Sequence, residues 1–293
     1  MPAETHPAAR GSRDRDRGQR RRFRVVTVTS NKGGVGKTTV AANLAVYLRA
    51  MHETLPILIL GLDEQNTLDR MFALERATYP NTIATALRTG DLTAAIRLGQ
   101  YGIHYVPSSL EVTEFNRKID DPFHLQRTLR ATDWPGLVII DTKADFETLT
   151  RNAIVASDLT LVLVTDHASL IEAQKVFDLL NKWDLPGERA QILLSMVDRR
   201  IKYRGSESPD ILTLLVSEVR SIGYPLFESF LSRSAKVESL LTNPERRAFS
   251  ILHGAPNSLV GRQMRHLAQD VMATLAPAKA RSYRLRTAKA EAS

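Results

Sequence analysis

Residues Thr29 to Thr39, Thr-Ser-Asn-Lys-Gly-Gly-Val-Gly-Lys-Thr-Thr, leave this chain few folds to choose from. The run before them, Phe23 to Thr29, is rich in β-branched residues and predicts a strand. The run after them, Thr39 to Met51, carries helix formers at apolar spacing. A glycine-rich turn between strand and helix is the setting of a phosphate-binding loop. Gly33, Gly34 and Gly36 let backbone N–H groups close around phosphate oxygens, with Val35 between them, and the helix N-terminus adds partial positive charge. Lys37 is placed to reach the β- and γ-phosphates, Thr38 to hold Mg²⁺, and Thr39 to complete the loop. The expected ligand is a nucleoside triphosphate with Mg²⁺. Where the usual pattern has its first glycine the chain has Asn31, and a second lysine, Lys32, follows it.

Other segments supply the rest of such a site. Pro56 to Leu62 is an almost unbroken apolar run, suited to a buried parallel strand, and it ends in Asp63. An acidic residue at the carboxyl end of such a strand stands where open α/β sheets do their ligand chemistry. The same position also suits a cap for the helix that follows. Leu137-Val-Ile-Ile-Asp141 repeats the pattern of apolar strand and terminal aspartate. Further strands are expected at Arg24–Thr29, Ile103–Pro107, Leu159–Thr165, Gln191–Met196 and Tyr224–Glu228. Helices are expected at Ser169–Lys182 and Leu259–Leu275, the latter with Met264, Leu267, Val271 and Leu275 on one side. Alternation of strands and helices predicts an α/β fold: a three-layer P-loop NTPase architecture, a mainly parallel twisted sheet flanked by helices.

Lys32-Gly-Gly-Val-Gly-Lys37-Thr38 resembles the deviant Walker A motif, Lys-Gly-Gly-x-Gly-Lys-Thr, of the ParA/MinD/Soj partitioning ATPases. The likeness runs in matching order from about residue 24 to 276. It takes in Ile192 to Arg199, similar to the family's Leu-Leu-Thr-Met-x-Asp-x-Arg region, and Phe230 to Ser234, similar to its Ile-Pro-Arg-Asn element; in relatives both lie near the base and the dimer rim. The resemblance implies an ATPase that forms a sandwich dimer on binding ATP. In it, Lys32 reaches across to the phosphates held by the partner, and Lys37 and Asp63 act in hydrolysis, with Asp63 positioning water. Thr38, Asp63 and Asp141 would organise Mg²⁺. Three departures stand out. Gly61 replaces the first aspartate of the family's Asp-x-Asp-Pro-Gln, Glu64 replaces its proline, and Thr142-Lys143-Ala144 stands in place of x-Pro-Pro after Asp141.

The 293 residues carry a formal charge of +8, and it lies at the ends. Residues 1–24 hold eight arginines against three acids, a net +5, and residues 277–293 hold five cations against one acid, a net +4. The middle is left at −1. We therefore divide the chain into a basic N-terminal arm (1–23), an ATPase domain (24–276) and a basic C-terminal tail (277–293). The arm is too polar to build a core, and can either contact phosphates or stay solvated. Within the body, Arg199, Arg200, Lys202 and Arg204, with Lys236, Arg246 and Arg247, are candidates for contacting DNA.

By resemblance, the partners are a second copy of the chain, nonspecific double-stranded DNA, and a ParB-like or other cargo-linked activator, at a cytoplasmic, nucleoid-associated location. The alternatives are a MinD-like membrane-positioning ATPase and an ATP-gated scaffold with little turnover. Zero cysteines exclude disulfides and thiolate metal sites. No apolar run is long enough to predict a spanning helix.

Overall fold

The computed structural model describes residues 23–64, 67–75, 77–202, 208–240 and 250–276. Its strands are β1 (Arg24–Thr29), β2 (Ile57–Gly61), β3 (Arg97–Leu98), β4 (His104–Tyr105), β5 (Leu137–Asp141), β6 (Leu159–Val164) and β7 (Ala190–Leu194). They form one sheet in the order β3-β4-β2-β5-β1-β6-β7. All neighbours pair in parallel except β3, which runs antiparallel to β4. The helices are α1 (Lys37–Met51), α2 (Thr67–Phe72), α3 (Ile83–Thr89), α4 (Glu111–Lys118), α5 (His124–Thr132), α6 (Thr148–Ala156), α7 (His167–Lys182), α8 (Ile211–Ile222), α9 (Ala235–Leu240), α10 (Ile251–Gly254) and α11 (Leu259–Leu275).

The central strands are apolar on both sides because both faces of the sheet are covered. Val26, Val28, Ile57, Ile59, Leu137 and Ile139 point to one face and pack with α1, α2 and α9–α11. Their neighbours along the strands, Val25, Leu58, Leu60, Val138 and Ile140, point to the other and meet α3–α6. Val162, Val164, Ile192 and Leu194 extend that second face beneath α7 and α8. Each such side chain fully withdrawn from water contributes about 1.5–3 kcal/mol. That burial fixes the sheet between its helical layers, and with it where the strand ends lie.

β1 sits between β5 and β6, so the connections on its two sides lead away in opposite directions. The crevice outside the carboxyl ends of strands at such a switch point is where this architecture holds ligands.

Two expected strands differ. Ile103–Pro107 shortens to His104–Tyr105, and Tyr224–Glu228 forms no ladder, only a parallel bridge from Leu226 to Ile192. Pro107 and Pro225 lack the N–H that would extend pairing. Pro225 still accepts from the Ile192 N–H at 2.8 Å, so the segment lies along β7 without becoming its partner. The short edge strand β3, outside every expected run, is the other difference. Among the expected DNA contacts, Arg204, Arg246 and Arg247 lie outside the described residues, as do the arm through residue 22 and the tail 277–293.

Candidate nucleotide site

β1 is buried from Val25 to its end and delivers the chain into the loop at Ser30. Gly34 and Gly36 adopt φ of +72° and +88°, the left-handed region that side chains rarely enter. Those two turns bring the loop back over the start of α1. Gly36 is the N-cap of α1, no side chain caps that helix, and its first turn holds no acid. Its leading N–H groups are therefore presented to the crevice rather than used up internally, with the helix dipole behind them.

Lys37 is buried, and its Nζ donates to the Lys32 carbonyl at 3.0 Å. Burial lowers its pKa, while the charges of Asp141, Asp63 and Asp145 pull it back up. Asp141, at the end of β5, is 2% exposed. Burial pushes its carboxyl up to about 7; the Thr38 hydroxyl bonded to it and the Lys37 charge oppose that rise, and Asp63 adds to it. Its Oδ1 has no hydrogen-bond partner among the described residues. A buried carboxylate oxygen without a donor is costly unless a cation completes it. With the Thr38 hydroxyl bonded to that carboxylate and Asp63 in the same pocket, the donors are all oxygens. That set fits Mg²⁺, which takes one or two carboxylates and keeps phosphate and water for its remaining positions. Among the described residues no group of three or more acidic, histidine or cysteine side chains is placed to hold a metal ion.

Lys37, Thr38 and Asp63 line a pocket of about 450 Å³. Gly34, Gly36, Lys37, Thr38 and Thr39 form one wall, with Asp63, Thr142 and Ala144. Ser195, Met196 and Leu231 to Ser234 form another, far from the loop in sequence. Backbone bonds set that second wall: Leu231 N–H donates to Leu194 at 2.9 Å and Arg233 N–H to Val197 at 3.0 Å. Ser195 Oγ donates to the Val35 carbonyl at 3.2 Å and ties the two walls together. The volume lies in the range of small-molecule sites, about 300–1,000 Å³.

Gly33 is exposed on the loop and Val35 is buried beneath it. Lys32 bonds within its own chain to Asp166, the N-cap of α7. Burial raises the Asp166 carboxyl, but hydrogen bonds from Lys32 and Ser169 outweigh it and hold it down at about 2. Asn31 adds a second tie to α7 through Glu172 at 3.2 Å. Sequence reading missed Asp166, although Asp-His-Ala-Ser is a capping pattern and would also have placed the helix start two residues earlier.

Lys143 is directed not at the pocket but at Glu64, 3.9 Å away. The other carboxylate oxygen of Glu64 accepts from Thr113 on α4. Of the basic candidates, Arg199 pairs with Asp210 at 2.9 Å and Arg200 with Asp198 at 2.6 Å. Lys202 and Lys236 are exposed.

A family model described as an AAA domain matches residues 23–184, more than half of the chain. A putative replication protein A of Rhizobium rhizogenes is 32% identical over 175 residues, covering 53% of this chain and 42% of that protein. The chain spans about half the length of the first curated relatives it matches. A putative plasmid partition protein of Borrelia burgdorferi bound to AMPPNP superposes with a TM-score of 0.62 at 18% identity, covering 85% of this chain and 98% of that one. The MinC:MinD cell division complex of Aquifex aeolicus gives 0.64 at 19%, covering 87% and 97%. At these identities the two structures speak for the fold.

Proposed function

We propose that this chain, which belongs to the ParA/MinD/Soj family of deviant Walker A ATPases, binds Mg-ATP in the pocket and hydrolyses it to ADP and phosphate. Hydrolysis drives a cycle in which the ATP-bound form is a sandwich dimer that grips nonspecific DNA. A cargo-linked partner stimulates turnover and releases the grip. The observation that carries the reading is the unpartnered, buried Asp141 oxygen beside Thr38 and Lys37, at the mouth of an uncapped helix. Thr38, Asp63 and Asp141 would hold Mg²⁺, which would supply charge neutralisation to the phosphates.

The chain's own part follows from placement. N–H groups of Gly34 to Thr38 bind phosphate oxygens, and Lys37 holds the β/γ region with its ammonium already desolvated. Asp63 orients the attacking water; phosphoryl transfer asks mainly for such positioning and charge stabilisation. Lys32 leaves Asp166 to meet the partner's phosphates when two subunits close. Arg199, Arg200, Lys202 and Lys236 contact the DNA backbone, which needs no base reading.

The test is steady-state ATP hydrolysis with and without duplex DNA, beside Lys32→Ala. DNA-enhanced turnover that collapses in the variant is the expected result; robust DNA-independent turnover that survives the substitution would refute the cycle. A second reading, a MinD-like ATPase that positions on a membrane, is supported by 27% identity over 185 residues to a septum site-determining protein MinD of Thermotoga maritima. No described helix is long and apolar enough to cross a membrane, so such binding would be at the surface. Co-sedimentation with anionic vesicles in place of DNA retention would select it. The scaffold reading predicts turnover no higher than that of Asp63→Ala.

A further inference from the structure

Asp63 stands between β2, which ends at Gly61, and α2, which begins at Thr67 on the pocket wall. A helix of six residues is too short to hold its own place, so tertiary ties must set where α2 lies. One segment supplies ties on both sides of Asp63: the turn from β4 into α4, residues 107–113. Before α2, Thr113 donates to Glu64, the residue that follows Asp63. Within α2, the Asp69 carboxylate takes both donors of Ser108. The Ser108 N–H is shared between its two oxygens at 3.2 and 3.1 Å, and the hydroxyl donates at 3.0 Å. Burial raises the Asp69 carboxyl, and the Ser108 donors work against that rise.

The supporting turn is itself fixed. Val106 N–H donates to the Ile59 carbonyl of β2 at 3.3 Å, and the Pro107 carbonyl accepts from Ile83 N–H at the start of α3 at 2.9 Å. Ser109 Oγ accepts from Glu111 N–H at 3.2 Å and steadies the entry to α4. Gly61 adds a close approach from beneath. A Cβ there would meet Leu68 Cδ1 at 3.1 Å, so the glycine that replaces the family's first aspartate leaves α2 room to pack against β2.

We propose that Asp69 is a positioning residue for hydrolysis: through Ser108 it anchors α2 to the β4–α4 turn, and so fixes the backbone that carries Asp63. The proposal rests on the reading above in which Asp63 orients the attacking water. Asp69 does not line the pocket, whereas Asp63 and Thr67 do, so its effect passes through the chain and not through contact with nucleotide. The phosphate-binding loop belongs to β1 and α1 and does not need this anchor. Losing it should therefore lower kcat and leave KM nearly unchanged, because a displaced water slows the reaction without weakening ground-state binding.

The experiment measures hydrolysis of Mg-ATP by full-length protein, in single-turnover and steady-state form. It compares wild type with Asp69→Ala, Asp69→Asn, Ser108→Ala, Asp63→Ala and Asp63→Ala/Asp69→Ala. Asp69→Ala should lower kcat about tenfold with KM within about twofold. Asp69→Asn, which keeps one acceptor for Ser108, should regain a large part of the rate. The double variant should be no slower than Asp63→Ala alone, because groups that act as one unit are not additive. Unchanged affinity for a fluorescent ATP analogue confirms the fold; if Asp69→Ala does not fold, Ser108→Ala in the same cycle takes its place with a smaller factor. Wild-type kcat in Asp69→Ala refutes the anchor. So does an equal loss in the presence and absence of Asp63, or a rise in KM that accounts for the loss. Turnover in Asp63→Ala equal to wild type, or none in wild type, would instead overturn the reading of Asp63 and take the anchor with it.

Discussion

Asp141, under the proposed function, is a side chain poor for folding whose place is set by the chemistry. Its folded pKa, about 7, stands above the ordinary 3.8 because burial disfavours the charge. The native state therefore holds a proton that the unfolded chain has already released between those values. Stability contributed by this group falls as pH rises through that window and stays lower above it. Asp141→Asn removes the buried charge and should raise stability at pH 8 by on the order of a few kcal/mol. It should also cut hydrolysis roughly a hundredfold, because the carboxylate can no longer complete the cation. Thermal melts of nucleotide-free protein at pH 5 and 8, beside turnover, check both halves; a variant less stable than wild type at pH 8 contradicts the account. Asp166 has the opposite sign. Its folded pKa is held near 2, so the stability it adds is present above 3.8 and lost as pH falls toward 2. Its side chain is 43% exposed, which screens the pair with Lys32. Asp166→Asn keeps an N-cap acceptor and should cost about 1 kcal/mol at neutral pH, with a shallower acid limb between pH 4 and 2 in urea titrations.

At the scale of elements, two departures from the family pattern compensate each other. Glu64 follows Asp63 after β2, Lys143 follows Asp141 after β5, and the two meet at 3.9 Å. Gly61 pairs in register with Asp141, and Leu62 N–H donates to the Asp141 carbonyl at 2.9 Å. The ion pair thus continues the β2–β5 pairing beyond its last ladder bond, where the prolines of the family pattern would stiffen the loops instead. Glu64→Lys and Lys143→Glu should each lower kcat several-fold with little change in KM. The double reversal should recover part of the loss, a coupling of about 0.5–1 kcal/mol. Losses that simply add would show the two loops to be independent. Much of this element-scale arrangement was legible beforehand. β1, β5 and α11 occupy the expected spans because their apolar periods are long and uninterrupted. The edge was not legible: β3 and β4 are two residues each, too short to show a period. The loop glycines, Lys37 and Asp141 were readable because local spacing fixes them. The Glu64–Lys143 and Lys32–Asp166 contacts join segments 79 and 134 residues apart, and no spacing rule reports such pairs.

The whole molecule converges on the pocket. Its walls come from the turn after β1, the ends of β2, β5 and β7, and the segment ahead of α9, with α11 behind. Ser195 bonded to Val35, and Gln263 on α11 bonded to Ser232 at 3.0 and 3.1 Å, link these walls without a ligand. A triphosphate held by the loop and by the second wall would add a further link between them. Local opening of any one wall would then break ligand contacts, so binding should stabilise the fold as a unit rather than loop by loop. Mg-ATP at a hundred times its Kd stabilises by about 2.7 kcal/mol, which for a domain of this size raises Tm by about 5 °C or more. Hydrogen exchange should show the same rise in protection in β7 and α11 as in α1. Lys37→Ala should abolish the shift in Tm while leaving the circular dichroism spectrum intact. Protection confined to the loop and α1 would mean that the second wall does not hold the nucleotide, and that the pocket closes only when a second subunit supplies the missing side.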